Sequence, residues 1–263
     1  MARRLRLPLQ GPPARGKIIT YPFLPEGRAQ KGSDMADKED FKTIVERRPQ
    51  WDFLQNLPRE LKDFRYVDGG RIDGHVLTLC SYVMEAEHRS LDLIYTKETF
   101  DYLSVKNVGL ERFRDVRYIT RDREEFERVI PAVLPRLLEE ISPAFRPNCT
   151  PMLAKKGILQ WEYWKTLPRK IGDFELFITP ENPLEFINNS TIFLDYADFA
   201  HANELVFLYN RVRNEFFAEI KQESFPGTIH DFDAKSLQQL EGLLSEKLEG
   251  YLGKLALGRI EKA

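Results

Sequence analysis

Two rhythms alternate along the chain from residue 41 onward, and the same succession is met twice. Residues 41–56 and 152–166 space apolar side chains three to four apart, which predicts amphipathic helices, and each run stops near a Leu-Pro-Arg (57–59 and 167–169), where proline ends or redirects a helix. Phe64–Val67 and Phe174–Ile178 then alternate as strands do, followed by turn signals at Asp68-Gly69-Gly70, Asp73-Gly74 and 180–183. Val76–Met84 and Thr191–Phe199 are β-rich, as are Leu91–Thr96 and Glu204–Tyr209. A short helix is expected at 97–105 and again at 210–221. A strand follows at 116–120 and 228–232, then a terminal helix at 122–141 and 234–252. The first of these helices opens on the capping-box-like Asp122-Arg123-Glu124-Glu125. The predicted class is α+β: a tandem duplication of a unit ordered helix, antiparallel β meander, helix, strand, helix.

The repetition is visible residue by residue. Residues 50–64 and 160–174 match without a gap at seven of fifteen positions: Gln50/Gln160, Trp51/Trp161, Leu57/Leu167, Pro58/Pro168, Arg59/Arg169, Asp63/Asp173 and Phe64/Phe174. Two of the chain's three tryptophans fall in register, which chance rarely produces. Further on, 91–95 lines up with 205–209, and Phe126, Val129, Val133, Leu137 and Ile141 line up with Leu237, Leu240, Leu244, Leu248 and Leu252. The proline-punctuated stretch 142–151 separates two α+β units, 35–145 and 150–263.

Charge sets the first 34 residues apart. Residues 1–34 carry seven Lys/Arg against two acids, a net of +5, while the rest of the 263-residue chain holds 32 basic and 39 acidic residues, a net of −7. Pro8, Pro12, Pro13, Pro22 and Pro25 break any helix there. The segment is expected to be a disordered basic leader, with a natural start at Met35 and its polar opening. No apolar run approaches the roughly 18 residues of a membrane-spanning helix, so no membrane partner is expected. Cys80 and Cys149 cannot make a disulfide framework, and with no hydrophobic signal segment the expected location is cytoplasmic.

Four residues carry the strongest hint of chemistry. Glu85…His88 and Asp198…His201 each place a carboxylate three positions before a histidine, at matching points of the two units. On helices, two such facing pairs would resemble the ligands of a carboxylate-bridged metal centre. In β-rich surroundings they are more simply the polar residues of hairpin turns, since i and i+3 on a strand point to opposite faces. Nucleophile elbows, zinc-protease motifs and phosphate-binding glycine loops are missing from the sequence. Arg117 stands in the densest basic cluster of the folded part, Arg112–Arg123, and is a candidate anion contact; the acids among these arginines and the net −7 oppose nucleic-acid binding. Trp164 and its aromatic neighbours are either packing or a ligand pocket. Arg59/Asp63 and Arg169/Asp173 suggest a repeated ion pair. Leu255, Leu257 and Ile260 run past the repeat and could dock on the first unit or in a homodimer. The expected function is non-enzymatic: a binding or adaptor protein that takes a protein or small ligand between its two units, without a cofactor. The rival is an enzyme at the inter-repeat cleft that uses Glu85, His88, Asp198 and His201, with or without a metal.

Overall fold

The computed structural model describes residues 41–145, 150–185 and 189–260. In the first half, helices α1 (Phe41–Arg47) and α2 (Asp52–Asn56) precede β1 (Glu60–Leu61), β2 (Phe64–Asp68), β3 (Ile72–Asp73), β4 (Val76–Met84), β5 (Arg89–Thr96), β6 (Asp101–Val108) and β7 (Glu111–Thr120), and α3 (Arg123–Glu140) closes it. The second half runs through α4 (Thr150–Lys155), two short 3-10 turns, β8 (Lys170–Ile171), β9 (Phe174–Ile178), β10 (Leu184–Glu185), β11 (Ser190–Asp198), β12 (Asn203–Asn210), β13 (Glu215–Gln222), β14 (Phe225–Ala234) and α5 (Leu237–Ala256). Each half makes one antiparallel seven-stranded sheet with the same order: β1-β2-β4-β5-β6-β7 with β3 on β4, and β8-β9-β11-β12-β13-β14 with β10 on β11. The class is α+β, and Glu39–Ala263 form one unit that holds both sheets.

The expected second helix of each half is not there. Residues 97–100 and 211–214 are turns, and the following residues are the full-length strands β6 and β13. Val212, Phe216, Phe217 and Ile220 imitate a helical stripe, but along β13 Phe216, Ala218 and Ile220 are buried and their neighbours half-buried, the alternation of a strand, and Asn214 takes the left-handed backbone of a hairpin turn (φ 53°). The flanking strand is also longer than 116–120 or 228–232: β7 and β14 are ten residues each.

The terminal helices correspond, at a register one turn from the one their leucines suggest. Phe126, Ile130, Leu134, Leu137, Leu138 and Ile141 are buried along α3, and Leu240, Leu244, Leu248, Tyr251, Leu252 and Leu255, each 114 positions later, are buried along α5. Asp122 and Ser236 share that spacing and cap the two helices, Asp122 accepting from the amides of Glu124 and Glu125 and Ser236 from that of Gln239. Leu255 is therefore core, the counterpart of Ile141. Ile260 packs against the same core, and Leu257 alone of the three is exposed.

Each helix covers one face of its sheet. The aromatic residues before each Leu-Pro-Arg join that layer: Trp51 with Phe53, and Trp161 with Trp164. Tyr82 and Tyr196 then tie the turn to the sheet, their hydroxyls donating to the carbonyls of Pro58 (2.8 Å) and Pro168 (2.7 Å). The opposite face of the second sheet meets the first half. The His88 ring stacks on Phe199 at 3.7 Å, and the β6–β7 turn at Gly109-Leu110 lies against Phe177 and Lys221. Gly109 has φ 62°, and a Cβ there would come within 2.6 Å of the Phe177 ring, so both the turn and the contact require glycine.

Candidate functional site

The carboxylate-histidine pairs lie on hairpin turns. Glu85 begins the 3-10 turn between β4 and β5 and pairs with Arg65 (2.8 Å), while His88 takes a left-handed backbone (φ 48°) and stacks on Phe199. Asp198 ends β11; its Oδ1 accepts the amides of Ala200 and His201, and its Oδ2 lies 2.8 Å from His201 Nδ1. By strand pairing the counterpart of His88 is Ala202, which shares its left-handed φ (53°), so the two pairs are offset and not equivalent. The four side chains make no common centre. Instead Asp173, from the β8–β9 turn, joins Asp198 and His201 in a group whose ligand atoms lie within 4.8 Å of one another. Asp198 is doing turn chemistry there: Asn210 at the β12–β13 turn accepts from Val212 and Arg213 with its Oδ1 in the same pattern and without a charge.

Arg117 is not a free anion contact. Its guanidinium donates to Asp115 and Glu140, both of which also receive Lys106. Burial opposes ionisation of these acids, but the hydrogen bonds from Arg117 and Lys106 outweigh it, holding Glu140 at about 2 and Asp115 far below its ordinary value. Trp164 is 4% exposed and belongs to the second core, under the Arg169 guanidinium at 5.2 Å. Arg169 and Arg59 lie over Trp164 and Tyr66, not against Asp173 and Asp63, so the repeated arginine holds an aromatic ring and no ion pair. Cys80 is buried core, its thiol pushed up to about 12 by desolvation.

Two features escaped the sequence reading. The first is a set of acids on the helix-free face of the second sheet. Asp195 and Glu204 are 0% exposed and are diagonal neighbours across β11 and β12, since Ala197 pairs with Glu204. Neither oxygen of Asp195 has a hydrogen-bond partner among the described residues. Lys221 pairs directly with Glu204 in the ladder; its Nζ lies 2.9 Å from Glu204 Oε2, off the line of a hydrogen bond, and 2.8 Å from Glu111 Oε1 of the first sheet. The same ammonium donates to the Leu110 carbonyl. Desolvation first, then the neighbouring acids, push Asp195 well above its ordinary value, and desolvation outweighs Lys221 in raising Glu204 to about 7.

The second is a groove of about 600 Å³ between α2, β1 and α3. Phe53, Leu57, Pro58, Leu61, Pro131, Leu134 and Pro135 form its apolar walls, and Asn56, Glu124, Glu127 and Arg128 its polar edge. Pro131 and Pro135 sit inside α3. Neither has an amide hydrogen, so the carbonyls of Glu127 and Pro131, four residues before each, lose their helical donors on the groove side. Glu127 is raised by burial, with Arg123 opposing and Glu124 and Asp52 adding to the rise. In the second half the position of Pro131 is Ser245 and that of Pro135 is Glu249. There Glu241, the counterpart of Glu127, accepts the Trp161 indole N–H at 2.7 Å; in the first half Glu127 pairs with Arg123 and the buried Trp51 Nε1 has no partner among the described residues.

Compared with known protein families, with curated proteins and with solved structures, the chain has no match. Among the described residues no helix is long and apolar enough to cross a membrane.

Proposed function

We propose that this is a non-enzymatic binding protein and that it takes its ligand in the α2–α3 groove of the first half, not between the halves as the sequence suggested. The observation that supports the reading is the groove itself: an open apolar trough of about 600 Å³, with Asn56, Glu124, Glu127 and Arg128 along one edge. A helix that keeps two prolines on the wall of a concave surface carries a stability cost of up to ~3 kcal/mol each, which a purely structural helix has no reason to bear. The ligand class that fits is an apolar chain bearing a cation, such as a leucine-rich segment of a partner protein flanked by lysine. Its apolar part would cover Phe53, Leu61 and Pro135; its charge would meet Glu124, Glu127 and the freed carbonyls. Burial disfavours the charge of Glu127 more than its partner Arg123 relieves it, so an incoming cation would add to that relief.

Decylammonium, decanol and decanoate separate the parts of this reading. Decylammonium is expected to bind in titration calorimetry and to shift the NMR signals of residues 53–61 and 127–135, with decanol weaker and decanoate silent. Pro135→Arg, at an exposed position, should abolish the interaction while leaving the circular dichroism of the fold in place. Equal binding of all three probes, or shifts confined elsewhere, would refute the assignment. The enzyme reading through Glu85, His88, Asp198 and His201 is weaker, because Asp198 and His201 cluster with Asp173 and not with Glu85 or His88.

A further inference from the structure

The buried acids of the second sheet lie where the two halves touch. Asp195 and Glu204 come from adjacent strands, Glu219 and Lys221 from the next, and Glu111 from the start of β7 in the other sheet. Lys221 Nζ is the common point: 2.9 Å from Glu204, 2.8 Å from Glu111 and 2.8 Å from the Leu110 carbonyl in the β6–β7 turn. Four acids face one amine, and the Asp195 carboxyl, with 0% exposure and no partner, cannot remain ionised beside an ionised Glu204. Of two buried carboxyls so placed, one keeps its proton, as in close carboxyl pairs in general. Lys221 is then free to hold Glu111 and Leu110 as well as Glu204.

We propose that Asp195, Glu204, Lys221 and Glu111 form a proton-sensitive clasp that holds the β6–β7 turn of the first sheet on the second. With the proton in place the cluster carries fewer negative charges and the clasp is closed. When the proton leaves, two buried carboxylates compete for Lys221 and its hold on Leu110 weakens. The groups that face this event are Glu111 from β7, Glu219 and Lys221 from β13, and Arg213, which acts on Glu219 from the β12–β13 turn. The corresponding positions of the first sheet are Ser81, Ser90 and Asn107, none of which titrates, so the device belongs to one half only.

For an acid whose folded value lies above its unfolded one, the folded state holds the proton longer. Its stability contribution is complete below the ordinary value of 4.5, declines as pH rises and is gone above about 7. The test is amide exchange of the full chain between pH 5 and pH 8.5, corrected for intrinsic rates, with urea midpoints at the same pH values. Protection of the Gly109 and Glu111 amides is expected to fall at least ~10-fold over this range, more than that of β4 and β5. Asp195→Asn, which keeps the shape and cannot ionise, should flatten the profile, and Glu204→Gln should do the same. A flat wild-type profile would overturn the proposal, as would a fall shared equally by all strands or one that persists in both variants. If either variant fails to fold, the wild-type pattern alone decides, because only the clasp predicts a loss centred on the β6–β7 turn.

Discussion

The two sheets answer protons in opposite directions although they share one topology. In the first half, Asp115 and Glu140 are held ionised by Lys106 and Arg117. Their contribution is present above their ordinary values, 3.8 and 4.5, and is lost as pH falls, for Glu140 down to about 2. In the second half, Asp195 and Glu204 are raised, so their contribution is lost as pH rises towards 7. The stability set by these groups peaks between the two edges, near pH 4.5. The helix-free faces show why. In the first sheet Ser81 Oγ donates to Asp92 Oδ1 at 2.6 Å, and Asn107 Nδ2 lies 2.9 Å from both Ser90 Oγ and Asp92 Oδ2. At the same three places the second sheet has Asp195, Glu204 and Lys221. Neutral partners satisfy a single acid; charged ones leave a surplus that only a proton relieves.

The strongest way to break this contrast is to remove the amine. Lys221→Met should cost about 3–5 kcal/mol in urea unfolding at pH 7, because it strands buried acids. Asn107→Ala, at the equivalent place, removes hydrogen bonds and should cost about 1–2 kcal/mol. Equal losses would show that the charges of the second sheet are not what distinguishes it. Replacing Asp195 and Glu204 by Ser and Lys221 by Asn would make the second face resemble the first. The alkaline loss of stability should then disappear while the acid loss, which belongs to Glu140 and Asp115, remains.

The helices give the next largest effect, with the opposite sign. Pro135→Ala restores an N–H to the Pro131 carbonyl, at an exposed position, and should raise stability by about 1–3 kcal/mol while weakening decylammonium binding. Glu249→Pro, at the matching place in α5, should lower stability by a similar amount. A stabilised Pro135→Ala with unchanged binding would separate the prolines from the groove. A smaller contrast follows from the indoles. Glu241→Ala strands the Trp161 N–H and should cost about 1–3 kcal/mol in thermal unfolding. Glu127→Ala has no indole bond to break and should cost under ~1 kcal/mol.

Much of the fold was legible because the two halves carry the same pattern and build similar sheets. The Leu-Pro-Arg turns and the long antiparallel strands follow from alternation and punctuation. Two things resisted. Strands β6 and β13 sit inside their sheets: Tyr102–Val105 of β6 are buried in an unbroken run, and the half-buried Phe217 of β13 adds an apolar position between the buried Phe216 and Ala218, so neither strand shows a clean polar alternation in its sequence. The stripe along α5 offers leucines at several registers, and only burial distinguishes Leu240 from Leu237 as the partner of Phe126. The histidines drew attention because charge and spacing show in a sequence. Asp195 and Glu204 did not, because each is an ordinary acid until strand pairing brings it beside the other. One signal was present: Asp195 interrupts an apolar run and Glu204 stands directly before one, at positions where the first half has serine.

Asp198 and His201 give the smallest expected effect and the clearest reading of what a turn acid does. If Asp198 serves as the acceptor of its own turn, Asp198→Asn keeps the oxygen that receives the Ala200 and His201 amides and should change stability by under ~0.5 kcal/mol, matching what Asn210 already does one turn later. Asp198→Ala loses that acceptor and should cost about 1 kcal/mol. His201 is mostly exposed, so His201→Ala should be nearly silent. Calorimetric titration with zinc or manganese is expected to give no heat that depends on these substitutions. A stoichiometric signal lost in both Asp198→Asn and His201→Ala would overturn the turn reading, because an Asn oxygen satisfies an amide as well as a carboxylate does but is a far poorer ligand for a divalent cation.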